Sequence, residues 1–304
     1  MLLEQVEYVR PDSVDEALAL LADEDSAAPL AGGQSLVNIL KNRVAAVELL
    51  VDISALTELR RISAAPDGSL EIGACVTYDE LDNSGEVRAA HRALADAAGH
   101  IEDQQIRNRG TIGGNCCLSD PTNNLPPLLV ALDATMHLRS RSGRREVAAL
   151  DFFKGYFATA LEPGELLVSI GLPAPPPLSG TGYVSLAVAA DAKAIVRCAA
   201  TVRLENGRGA TTIGGSRVVL ARVAHVPIRH LQMESRLNGR EASEEAVRAA
   251  AEAVGEGLEP ITDMHGSSEY RRRMARVVAC RAVLEAVADA RQGGAPAPAP
   301  GSPR

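Results

Sequence analysis

Two glycine-rich turns, AGGQSL at residues 31–36 and TIGGN at 111–115, stand about eighty residues apart in a chain of 304. The second lies within 104–125, QQIRNRGTIGGNCCLSDPTNNL, a stretch with too few apolar residues to be a core element. Glycine lacks a Cβ, so Gly110, Gly113 and Gly114 let the backbone take left-handed dihedrals and let its amides approach a ligand. Thr111, Asn115, Ser119 and Asn124 set short polar side chains around those amides, as a diphosphate or a ribityl chain requires. One such turn is weak evidence, because most glycine-rich turns do nothing chemical. A pair separated by a subdomain's length suggests one long anionic ligand gripped from both sides, which is the geometry of a dinucleotide.

The rest of the composition narrows the class. Hydrophobic residues make up 46% of the chain, but aromatics only 3% and tryptophan none, so the core must be aliphatic. A net charge of −8, with arginines spread among acids, argues against a nucleic-acid surface. Arg139, Arg141, Arg144 and Arg145 cluster in SRSGRR, which reads as a solvated hairpin tip. Without an apolar run of 18 residues, and with an N-terminus too short and acidic for a signal peptide, no membrane insertion and a cytoplasmic location are expected. The five cysteines, Cys75, Cys116, Cys117, Cys198 and Cys280, show no metal or iron–sulfur spacing, so any such cluster must come from another chain. Cys116 and Cys117 read as apolar filler behind the second turn.

In chain order, Ser13 caps a helix over 14–23, residues 28–30 form a strand delivering the first turn, and 36–41 continue as a helical turn. A buried strand follows at 48–53. Residues 56–62 and 70–73 read as strands of a second subdomain joined at Asp67-Gly68. Helical segments are expected at 78–81, 87–98 and 125–132, the last with Pro126 and Pro127 in its first turn. Strands at 135–139 and 145–149 pair across the arginine-rich tip. Residues 151–161 hold all three phenylalanines and one tyrosine, either as a core plug or as a wall beside a flat ring. After a proline-rich linker at 176–182, the runs 183–190, 194–204 and 210–214 suggest an antiparallel sheet turning at Asn206-Gly207, with helices at 243–254 and 269–290 on one face. The fold class is α+β. Its units are an N-terminal domain over 1–175, with subdomains at about 1–55 and 56–175, then a C-terminal domain over 183–290 and a disordered tail at 291–304.

No serine/histidine/acid set, paired loop carboxylates or Walker-type lysine accompanies the turns, and His91, His100, His137, His225, His230 and His265 are scattered. The chemistry therefore falls to a cofactor.

AGGQS and TIGGN, with QIRN before the second and DP then LPP after it, resemble the FAD-binding medium subunits of molybdenum hydroxylases of the carbon monoxide and xanthine dehydrogenase type. The likeness extends through Val9-Arg10-Pro11, the EPGELL of residues 162–167 and the EYRR of 269–272, over roughly residues 1–290. It implies a two-subdomain FAD-binding domain of vanillyl-alcohol-oxidase (PCMH) type. FAD diphosphate would lie on the backbone of Ala31, Gly32, Gly33, Gln34 and Ser35. Thr111, Ile112, Gly113, Gly114 and Asn115 would close over it, Asp120 and Asn124 would hold ribityl or ribose hydroxyls, and Leu167 would pack on the isoalloxazine. It further implies a small iron–sulfur subunit and a large molybdopterin subunit in a heterotrimer or its dimer. Electrons would pass from 2Fe–2S clusters through FAD to NAD, oxygen or another acceptor, with no metal on this chain.

Two positions depart from the family pattern. Asn124 replaces the usual aspartate, and 187–196 replaces a basic stretch ending in Asp and an aromatic, with Ile195 at the ring-shielding place. Besides the electron-transfer subunit, a stand-alone FAD-dependent oxidoreductase acting on a small organic molecule and a non-catalytic assembly module remain readings of the residues.

Overall fold

A computed structural model describes residues 5–24, 26–188, 193–206 and 210–292. The chain begins with a small parallel sheet in the order Glu7–Val9, Leu49–Asp52, Ala27–Leu30. Its central strand is buried along its whole length, as the uninterrupted apolar LLV of residues 49–51 requires. Helix Val14–Asp23 covers this sheet through Val14, Ala17, Leu18 and Leu21, and is capped by the Ser13 hydroxyl accepting from the Glu16 N–H at 3.2 Å.

A five-stranded antiparallel sheet follows, ordered Ile62–Ala64, Leu70–Gly73, Leu166–Leu172, Thr135–Ser140, Gly143–Ala148. Helices Gly85–Gly99, Ile112–Leu118 and Leu125–Ala131 contribute Leu94, Ile112, Leu125, Leu128 and Leu129 to the core beneath it, all fully buried. The arginine-rich tip is paired with acids: Arg139 with Asp15, Arg141 with Asp23 and Arg145 with Glu165, at 2.5–2.7 Å. It is a salt-bridged hairpin and not a binding patch.

The C-terminal unit is an antiparallel sheet ordered Ser179–Leu186, Val196–Asn206, Thr211–Ala221, Ile228–Arg229. The 24-residue helix Ser268–Arg291 lies against the first two strands. At Gly182 a Cβ would stand 2.8 Å from the Ala286 amide nitrogen, so this crossing tolerates no side chain there. The opposite face of the sheet rests on the first domain. Ala199 and Val219 join that domain's core, and the Thr201 hydroxyl donates to the Ala131 carbonyl at 3.2 Å.

Local readings of the sequence need three corrections. Residues 57–60 form a 3-10 turn, and the strand begins only at Ile62, because Leu59 turns inward to bury its side chain. The first C-terminal strand starts at Ser179, inside the expected linker, since only the prolines up to Pro177 obstruct pairing. That strand ends at Leu186. Gly207 of the expected hairpin turn, residues 189–192 of the 187–196 departure and the tail from 293 lie outside the described residues.

Candidate functional site

The two turns meet. A Cβ on Gly32 would lie 2.7 Å from the Arg109 carbonyl carbon and 3.0 Å from Gly110 Cα, so the first turn sits directly on the backbone that leads into the second. Strand Ala27–Leu30 ends at the first turn, and Ile53 N–H donates to the Leu30 carbonyl at 3.0 Å, fixing where the turn leaves the sheet. The second turn is held by strand-like bonds from Tyr78 N–H to Gly110 O and from Ile112 N–H to Val76 O, both 3.0 Å.

The turns differ in what their amides do. The Ile112 and Gly113 N–H groups donate to the carbonyls of Val76 and Ala74, Gly114 N–H to the Thr111 hydroxyl at 3.1 Å, and Asn115 N–H to the Thr111 carbonyl. In the first turn no acceptor among the described residues takes the N–H groups of Gly32, Gly33, Gln34 or Ser35. Gly33 has φ +72°, a dihedral that side-chain-bearing residues rarely adopt. The Gln34 amide donates to the Gly32 carbonyl at 3.0 Å, bracing the turn from within. The first turn is thus the one whose amides are free to donate, and the second is the wall against which it is set.

Both turns line one cleft of about 1660 Å³, larger than the ~300–1,000 Å³ of ordinary small-molecule sites and suited to an elongated ligand. Ala31, Gly32, Gly33, Gln34, Ser35, Thr111, Gly114, Asn115, Asp120 and Asn124 all face it. Ile112, Gly113 and Leu167 do not. Ile112 is fully buried, a Gly113 Cβ would meet Ala74 Cβ at 2.6 Å, and Leu167 is 3% exposed within the core under the five-stranded sheet. Gly113 is there for helix-to-strand packing, and Leu167 has no surface to offer a ring.

Around the cradle, Asn115 donates from Nδ2 to the Tyr78 hydroxyl at 3.0 Å and leaves Oδ1 buried with no partner among the described residues. Burial of a polar atom without a partner is costly, and a ligand hydroxyl would relieve it. Asp120 accepts the Thr122 N–H at 2.8 Å and stands 3.8 Å from Lys193 Nζ. The Asn124 side chain makes no bond within the described chain, and its carbonyl accepts from the Tyr183 hydroxyl at 2.5 Å. Burial pushes the Tyr183 phenol up to about 12, with Arg197 drawing it back, so it is a donor throughout the physiological range. Burial likewise raises the thiol of Cys117 to about 12. Cys117 faces the cleft as a neutral group, whereas Cys116 is fully buried filler.

The C-terminal domain supplies the facing wall, which the sequence disclosed only in outline. Arg197, 4% exposed, donates from Nη1 to the carbonyls of Thr122 at 3.2 Å and Asn123 at 2.8 Å, with its guanidinium 5.8 Å from the Tyr183 ring centre. Ile195 does not take the ring-shielding place. It is 4% exposed inside the C-terminal core, and Lys193 faces the cleft instead. Ile195 lies outside the strand, which begins at Val196, so the alternation that turns Arg197 towards the cleft does not extend to it. Of the expected aromatic wall, Phe157 lines the cleft at 64% exposure, whereas Phe152 and Phe153 are core. Replacing Tyr183 with phenylalanine removes one buried bond at the domain junction. A loss of about 1 kcal/mol in denaturant-measured stability is expected, with FAD content retained.

Among the described residues no group of three or more His, Cys, Asp or Glu side chains is placed to hold a metal ion, and no helix is long and apolar enough to cross a membrane.

Comparison with known proteins gives the family. Residues 4–175 match the model of the FAD binding domain in molybdopterin dehydrogenase, and residues 183–286 that of the CO dehydrogenase flavoprotein C-terminal domain. The chain is 39% identical to the carbon monoxide dehydrogenase medium chain of Hydrogenophaga pseudoflava, over 93% of its length and 97% of the relative's. It is 35% identical to the glyceraldehyde dehydrogenase medium chain of Sulfolobus acidocaldarius, covering 91% and 97%. A solved structure of the Hydrogenophaga pseudoflava enzyme superposes with a TM-score of 0.90 at 38% identity, covering 95% of this chain and 99% of the other. Quinoline 2-oxidoreductase from Pseudomonas putida 86 superposes at 0.89, with 33% identity and the same coverage.

Proposed function

We propose, from the premise that this chain belongs to the FAD-binding medium subunits of the molybdenum hydroxylases, that it is the electron outlet of a three-component complex. Its partners would be a small iron–sulfur chain and a large molybdopterin chain. Electrons would enter from the partner's 2Fe–2S clusters and leave to an external acceptor such as NAD or oxygen. Relatives at similar identity and coverage are named medium chains, including the nicotine 6-hydroxylase medium subunit of Paenarthrobacter nicotinovorans, at 32% identity over 94% of this chain.

The observation that carries the cofactor assignment is the row of unspent amides at Gly32, Gly33, Gln34 and Ser35 on the wall of an elongated cleft. Such amides are suited to a diphosphate, because each donates to an anionic oxygen with no side-chain cation needed. The Thr111 hydroxyl still has a proton to donate after accepting the Gly114 N–H. Asn115 Oδ1, the Asp120 carboxylate and the Asn124 amide are left for sugar and ribityl hydroxyls. The bound flavin would supply uptake of single electrons from the clusters and their release one or two at a time to the acceptor, and this chain supplies position, electrostatics and exclusion of water.

Gly33→Asp is the direct test. It places a carboxylate in the path of the diphosphate on a residue of positive φ, and the purified variant is expected to be colourless where the wild type is yellow. Full flavin content in Gly33→Asp would overturn the assignment of the cradle. Co-purification of an iron–sulfur chain and a molybdopterin chain with the tagged native protein tests the complex.

A second reading, a stand-alone flavoprotein acting on a small organic molecule, is favoured by one observation. Lys193 and Arg197 line the cleft on the segment where the family pattern has an aromatic. Flavin reduction of the isolated yellow chain by such a substrate would select it.

A further inference from the structure

Arg197 is a cation buried without a counter-ion among the described residues. Its bonds within the described chain are the two to the carbonyls of Thr122 and Asn123, its Nε is sealed from solvent and unpartnered, and no carboxylate of the described residues forms an ion pair with it. Its Nη2 has no acceptor among the described residues, and the side chain is part of the cleft wall. Desolvation disfavours a guanidinium so placed unless an anion completes it. The second cation in the lining, Lys193, is on the same segment, 3.8 Å from Asp120 and 54% exposed.

The position of this pair relative to the cradle indicates what the anion is. The helix Ile112–Leu118 starts beside the first turn, and residues 120–124, which Arg197 and Lys193 touch, follow its far end. Seven helical residues rise about 10 Å, so the cations stand beyond the diphosphate amides by roughly the reach of a ribityl chain. Other parts of the cleft carry Asp96 and Glu102, which would repel negative charge. Oxidised FAD carries its charge on the diphosphate. When its ring takes up two electrons and one proton, it gains a negative charge, and Lys193 and Arg197 are the cations of the lining placed to meet it.

We propose that Arg197, assisted by Lys193, stabilises the anionic reduced flavin ring and thereby sets the reduction potential of the bound cofactor. This rests on the reading of the cleft as the FAD site. The titratable groups facing the pair are Asp120, Tyr183, Glu285 and Cys117. Lys193 contributes less because it is half-exposed and partly neutralised by Asp120.

The test measures the midpoint potential of bound FAD in the flavin-loaded protein, equilibrated with a reference dye under a chemical reductant. It compares wild type with Arg197→Gln, Arg197→Lys and Lys193→Gln. Arg197→Gln is expected to disfavour the reduced form about tenfold, a shift of ~30 mV to more negative potential for a two-electron couple. Lys193→Gln is expected to move it in the same direction by less, and Arg197→Lys to restore most of the wild-type value. The pH slope supplies a second readout: near neutrality the wild type takes up about one proton per electron pair, and Arg197→Gln closer to two. Should Arg197→Gln not fold, Lys193→Gln, at an exposed position, decides the matter by the sign of its shift. Unchanged potentials in the variants overturn the proposal, as does loss of FAD binding in Arg197→Gln together with loss of ADP binding, which would make Arg197 a phosphate ligand. A wild-type protein that takes up no FAD refutes the cofactor reading itself, so the two failures are distinct.

Discussion

Gly32→Ala is expected to yield a protein that no longer retains FAD and is measurably less stable. The added methyl would stand 2.7 Å from the Arg109 carbonyl carbon and closer still to its oxygen, and both are backbone atoms that no rotamer change can move aside. The turns must separate to admit it, and overpacking of this kind costs about 1–3 kcal/mol or more. Separation also re-aims the amides of Gly32 to Ser35. The loss of flavin should therefore exceed what the loss of stability explains, as flavin absorbance per chain and a denaturant titration will tell. Gly85→Ala is a useful control, because its added Cβ meets nothing within 4 Å and neither glycine has a positive φ. If Gly32→Ala holds a full complement of FAD, the turns do not cooperate as described.

The second large effect is expected at Asp263. This carboxylate joins Arg222, through Oδ2 at 2.9 Å, to Arg271, the largest fully buried side chain of the protein. Arg222 donates to the Ala194 carbonyl at 3.0 Å and Arg271 to the Ile195 carbonyl, so the three residues anchor the segment that carries Lys193 and Arg197 to the cleft. Asp263→Ala leaves two buried guanidiniums facing each other without a counter-ion, at a cost of about 3–5 kcal/mol. A fall in Tm on the order of 10 °C should follow.

The same carboxylate gives a signature in pH. Burial opposes its ionised form, but the His265 N–H and the Arg271 and Arg222 guanidiniums outweigh burial and hold its pKa at about 2, below the usual 3.8. A carboxyl depressed on folding stabilises above its unfolded pKa, and that contribution is lost as pH falls through 3.8 towards 2. It amounts to about 2 kcal/mol. The wild type should therefore lose stability below pH 4 more steeply than Asp263→Asn, and parallel acid titrations of the two would contradict the anchor.

What the sequence disclosed and what it withheld have physical reasons. The turns, the hairpin at Asp67-Gly68 and the helix Leu36–Lys41 were legible, because glycine placement and apolar spacing are local signals. Gly33 and Gly113 look alike as letters, but one offers a free amide under a positive φ and the other exists to pass Ala74. That difference depends on what each residue meets across the fold. Leu167 and Ile195 were misread as ring contacts for a related reason. Motif spacing fixes which segment approaches the cleft, whereas which residues face it depends on a register shift next to Leu167 and on Ile195 standing just before its strand. Arg197 gave no local signal at all. An arginine in the run AIVRCAA reads as a strand edge until the 120–124 loop is seen to close over it.

The account depends most on the first turn gripping a diphosphate, and equilibrium titration of the flavin-free protein with FAD, ADP and riboflavin measures that directly. FAD should bind one per chain, ADP should compete with it, and riboflavin should bind far more weakly, with Gly33→Asp abolishing the ADP site. Riboflavin binding as tightly as FAD, or ADP failing to compete, would mean that the amides of residues 32–35 hold no phosphate.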